Sequence, residues 1–196
     1  MPHDTLRAIT DLADSGLILP LCALLAGVLW FVESRRSAWL FLRALLLCLI
    51  AMALIKIGFL SCGKAAGSAI HSPSGHASLA TFFFGSLACV IFVRLTAPWR
   101  WVAPVATVVL VIAIGLTRVL LGAHSPAEVI IGSAVGGLSL AAFVLPYLKL
   151  PRRRLSLRPL LLALGPLFLL CYGSALPAEE LLHAMIPHLQ PTICSA

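Results

Sequence analysis

The chain has 196 residues, of which 61% are hydrophobic and only 11% charged, and its mean hydropathy is +1.06. Soluble domains run to about 45–50% apolar and about 25% charged residues, so this composition excludes a water-soluble globule, a disordered chain and, without a Gly-X-Y period, a collagen-like one. Fourteen Lys and Arg against seven Asp and Glu give a net charge of +7, whose meaning depends on where the cations fall relative to membrane spans.

Residues 1–16 carry three aspartates and no basic region leading into a small-residue cleavage site, so they do not read as a cleaved signal peptide. Residues 5–14 instead put Leu6, Ile9 and Ala13 on one helical face, the pattern of a short helix lying at a membrane surface. Apolar runs able to cross or nearly cross a bilayer follow at 17–32, 39–55, 79–93, 101–116, 129–147 and 160–176; several are only about 15–17 residues long, the short end of the usual range. A second interfacial segment is expected at 177–196, where Leu181, Leu182, Met185, Ile186 and Leu189 share a face. The expected fold is therefore all-α: one polytopic membrane domain over residues 1–196, with a six-transmembrane-helix bundle at 17–176.

The connecting loops alternate in charge. Those after spans one, three and five contain Arg35 and Arg36, Arg94 and Arg100, and Lys149 with Arg152, Arg153, Arg154 and Arg158, nine of the fourteen cations. The positive-inside rule puts these loops in the cytoplasm and both termini outside, which in a bacterium means the inner membrane with the outer loops facing the periplasm. Topology and anionic lipid head groups account for the arginine cluster, so no nucleic acid partner is expected. An inverted repeat would have pointed to a transporter, and none is visible.

The outward loops hold the chemistry. Between spans two and three, Lys56 and Lys64 precede Pro73-Ser74-Gly75-His76, where a proline followed by Ser and Gly describes a helix start whose Ser74, Gly75 and His76 amides suit a phosphate. Between spans four and five stand Thr117-Arg118 and His124-Ser-Pro-Ala-Glu128. A carboxylate four residues from a histidine can accept the imidazole N–H, fix its tautomer and leave the other nitrogen as a nucleophile. Two histidines, an arginine, two lysines and a carboxylate thus gather on one face of the membrane, which is what phosphoryl transfer requires. The six histidines include no pair at ligand spacing with suitable partners, so neither metal nor cofactor is implied. Gly132 and Gly136 on span five form a small-xxx-small face suited to close helix packing. Cys62 and Cys194, both expected outside, are candidates for a disulfide. His71, His183 and His188 read as solvated or interfacial.

These residues resemble the membrane-bound type-2 phosphatidic acid phosphatases, whose signature is K-x6-RP, PSGH and SR-x5-H-x3-D. The middle part is intact at 73–76, and the last keeps its spacing from Thr117-Arg118 through His124 to Glu128, with Thr for Ser and Glu for Asp. In the first part, Gly63-Lys64 stands where Arg-Pro would follow Lys56. The resemblance implies a lipid phosphatase with a lipid phosphate or pyrophosphate as substrate: His124 as nucleophile oriented by Glu128, His76 as acid, and Lys56, Lys64, Ser74, Gly75 and Arg118 binding the phosphoryl group. A lipid-phosphate binder or transporter without turnover, or a phosphotransferase using the same residues, are the alternatives. The sequence leaves the oligomeric state and the particular lipid open.

Overall fold

The computed structural model describes residues 2–62, 72–151 and 158–174, which form seven α-helices and no strand. In chain order these are α1 (Pro2–Asp11), α2 (Ser15–Val28), α3 (Arg35–Cys62), α4 (Gly75–Phe92), α5 (Val102–Leu120), α6 (Pro126–Tyr147) and α7 (Arg158–Cys171). Asp14 separates the first two by capping α2, its side chain accepting from the Gly16 amide, and α2 ends in a π-helical turn over Leu29–Glu33. Five stretches are long and apolar enough to cross a membrane: Asp4–Glu33, Arg35–Phe59, Gly75–Phe92, Trp99–Leu120 and Pro126–Tyr147. They cover the first five expected spans, except for Val93 at the end of the third. The sixth coincides with α7, 14 residues long, whose apolar part Leu160–Cys171 is shorter than a span. Lys64, His71, Arg152, Arg153, Arg154, His183, His188, Cys194 and the expected 177–196 segment lie outside the described residues, as does the side chain of Cys62.

Helix α4 is the hub, packing against α6, α5, α2 and α3. It can approach α6 closely because Gly132 and Gly136 face it: a methyl on either would collide with the backbone carbonyl of Ser74 or of Ser78. The expected small-residue face is therefore a helix–helix contact, and it brings the N-terminal ends of α4 and α6 together. Deeper in the bundle, Phe41 meets both Phe82 and Phe143, and Phe143 stacks on Tyr147. Outside the core, α5 turns Val105, Val109, Ile112 and Leu116 outward, each more than half exposed. A face of that kind is costly in water and matched by acyl chains.

At the end of the bundle away from Ser74, Arg94 and Glu33 pair at 2.7 Å with both side chains about nine-tenths buried. Tyr147 and Ser37 also donate to the Glu33 carboxylate. Arg94 counts among the loop cations that indicate topology, yet its guanidinium is turned into the bundle. The pairing joins the π-helical turn, the end of α4 and the end of α6.

Candidate active site

The site grows from two helix starts. Ser74 is the N-cap of α4, its hydroxyl accepting from the Ala77 amide at 3.4 Å. The helix thus begins at Gly75, and Pro73 precedes the cap instead of occupying the first helical position expected for it. Gly75, His76 and Ala77 supply the first-turn amides, which no carbonyl of their own helix can reach. The Ser74 amide differs from the expectation that it joins them, because it donates to the Glu128 carbonyl at 3.0 Å. Lys56 comes up from α3 as a buried cation beside this turn; a methyl built on Gly75 would lie 3.7 Å from its Nζ.

The second helix start is α6. Past Arg118 in the last turn of α5, Gly122 takes φ +67°, a left-handed conformation that glycine adopts without penalty. The chain then folds back so that the Ala123 and His124 amides both donate to the Arg118 carbonyl, at 3.0 and 3.2 Å. Arg118 and His124 become neighbours through this turn. His124 lies before the helix, not on its face. Ser125 is the N-cap and Glu128 the third helical residue, and together they form a capping box: the Ser125 hydroxyl accepts from the Glu128 amide, and Glu128 Oε2 accepts from the Ser125 amide at 3.0 Å. The same Oε2 stands 3.2 Å from His124 Nδ1, while Oε1 accepts from the Ser72 amide at 2.9 Å.

The four-residue spacing therefore pairs His124 with Glu128 as expected, but through the cap and not through a helical face. With Nδ1 directed at the carboxylate, the N–H belongs there and Nε2 carries the lone pair. Both side chains are more than nine-tenths buried, and Nε2 has no hydrogen-bond partner among the described residues. A buried imidazole nitrogen of this kind has the lone pair that nucleophilic attack would use.

Two residues of the N-terminal segment also reach the site, which motif spacing does not reveal. Thr10 is buried and its hydroxyl accepts from Arg118 at 3.4 Å, and Asp14 Oδ2 stands 3.6 Å from His76 Nε2. The only sequence signals for them were polarity within an amphipathic segment and an aspartate before an apolar run, the pattern of a helix cap. Of the expected site residues, the structure joins Lys56, Ser74, Gly75, His76, Arg118, His124 and Glu128 through these contacts. Lys64 lies outside the described residues.

An all-helical, membrane-spanning bundle with a histidine–carboxylate pair beside a cationic helix start is the class the fold and site define. Residues 59–152 match the model of the PAP2 superfamily, and over that stretch the chain is similar to its members. The match contains both helix starts and begins three residues after Lys56. Comparison with curated proteins and with solved structures gives no match.

Proposed function

We propose that the chain is an integral-membrane lipid phosphatase that cleaves a phosphomonoester or pyrophosphate of a membrane lipid through a phosphohistidine. The observation that carries this reading is His124: Nδ1 on a carboxylate, Nε2 buried and unbonded among the described residues, joined to Arg118 through the turn before α6, with Lys56 at the neighbouring start of α4. Binding alone calls for cations and amides; an oriented imidazole is the extra part that chemistry needs.

In the proposed reaction, Lys56, Arg118, Ser74 and the Gly75 amide hold the phosphoryl oxygens, and Lys64 stands in for the arginine of the first motif. The Nε2 lone pair of His124 forms the P–N bond as the bond from phosphorus to the leaving oxygen breaks. The electron pair goes to that oxygen, which takes a proton from the His76 ring. Glu128 holds the charge that develops on His124. Water then attacks phosphorus, gives a proton to the now neutral His76, and the P–N electrons return to His124. The chemistry uses side chains and amides only. The lipid tail lies against the apolar helix faces while the head enters the site. The loop charges support six spans with both termini outside, and hence a site open to the periplasm in a bacterial inner membrane.

The test is phosphate release in detergent from a panel of glycerolipid phosphates, polyprenyl pyrophosphates and lipid A phosphates, with vanadate as a transition-state mimic. His124→Ala is expected to lower release by at least about 10³-fold. Wild-type release kept by His124→Ala would remove the nucleophile assignment. Lipid bound without any release would establish a binder instead.

A further inference from the structure

His76 faces a carboxylate that no part of the three-part motif supplies. Asp14 lies sixty-two residues earlier in the chain, between α1 and α2, and its two oxygens are divided between two tasks. Oδ1 accepts from the Gly16 amide at 2.7 Å and so caps α2. That bond fixes the rotamer and leaves Oδ2 directed at His76 Nε2, 3.6 Å away with both side chains less than one-fifth exposed. A cap alone needs only an acceptor, and Asn or Ser serves as well; the second, charged oxygen is what the cap does not explain.

The junction that carries Asp14 is also held from three sides. Thr10 accepts from Arg118 of α5, the Tyr172 hydroxyl donates to the Ala8 carbonyl at 2.9 Å, and Gly16 lies against the Ser174 backbone so tightly that a methyl there would collide with its carbonyl oxygen. The carboxylate is therefore presented by a fixed element and not by a loose terminus.

We propose that Asp14 is a positioning residue for the reaction: it holds the His76 ring in place and in its charged form, ready to protonate the leaving oxygen. This rests on the phosphatase reading and extends it to a residue of the N-terminal segment. An imidazolium next to a carboxylate is favoured over the neutral ring, and the general acid must carry its proton before the P–O bond breaks. The ion-pair distance is longer than a hydrogen bond, as such pairs are before substrate binds. The same carboxylate favours recharging of His76 once water has given up its proton.

A defect in proton donation depends on the leaving group, whereas structural damage does not. The pair of probes is dioctanoyl phosphatidic acid, whose alcohol must be protonated as it leaves, and p-nitrophenyl phosphate, whose acidic phenol departs without help. Asp14→Asn keeps the cap of α2, and its melting temperature in detergent is expected to stay with that of the wild type. Its turnover of phosphatidic acid is expected to fall about tenfold or more, and that of the aryl phosphate less than threefold. His76→Ala should show the same selectivity more strongly, and Asp14→Glu should recover part of the loss. Equal losses on both substrates, or none on either, would overturn the role of Asp14 while leaving the phosphatase reading intact. Absence of wild-type release from both, and from the polyprenyl pyrophosphates and lipid A phosphates as well, would overturn that reading first.

Discussion

Glu128 explains why a glutamate can stand where the superfamily motif has an aspartate. Its carboxylate receives the Ser125 and Ser72 amides and faces His124 Nδ1. The box closes on Ser125 because Glu at the third helical position is long enough to reach back to the cap. An aspartate there is one methylene shorter, so its carboxylate cannot occupy the place from which Glu128 serves the cap, Ser72 and His124 together. Glu128→Asp is thus expected to reduce turnover at least about tenfold, since a displacement near 1 Å at such a site costs up to about a hundredfold. It should also weaken the start of α6 by about 1 kcal/mol. Steady-state kinetics and thermal unfolding in detergent check the two effects separately. Turnover raised by Glu128→Asp would show instead that the glutamate is a compromise.

Between helices, the site depends on how closely α4 and α6 approach. The Ser74 amide reaches the Glu128 carbonyl only because Gly132, one turn further along α6, lies against the Ser74 carbonyl. A methyl on Gly132 pushes the two helix starts apart, so Gly132→Ala is expected to cost about 1–3 kcal/mol and most of the activity. Gly137 faces open space on the same helix, and Gly137→Ala should be neutral or gain about 0.5–1 kcal/mol from helix propensity. Unfolding and phosphate release measured on the pair distinguish contact from composition. The glycine spacing, the apolar runs and the His124–Glu128 interval were readable because each reflects a short-range period. Helix limits were less so: α4 starts at Gly75, two residues after the proline expected to open it, which makes Ser74 the cap. Three features escaped the sequence for the same reason, that their partners are distant in the chain: Asp14 with His76, Thr10 with Arg118, and Glu33 with Arg94. The capping box was a different case, since Ser125-x-x-Glu128 is a local signal that the histidine interval overshadowed.

Across the whole molecule, two buried polar groups at opposite ends of the bundle, His124 and Glu33, are treated differently. At the end with His124, a buried nitrogen lacks a partner among the described residues; at the other, Glu33 is surrounded by Arg94, Tyr147 and Ser37. The first arrangement suits a reacting group and the second a fastening, because an ion pair so enclosed holds only while both partners are present. Removing one partner strands a charge; removing both charges does not. Arg94→Leu is therefore expected to destabilise the fold by about 3–5 kcal/mol, and adding Glu33→Gln should recover a large part of that loss, the amide still accepting from Tyr147. Phosphate release per folded molecule should match the wild type in the double variant, since neither residue is near His124. Unfolding of the four proteins in one detergent gives the coupling energy directly. A double variant less stable than Arg94→Leu would mean that Glu33 holds the π-helical turn in place independently of the arginine.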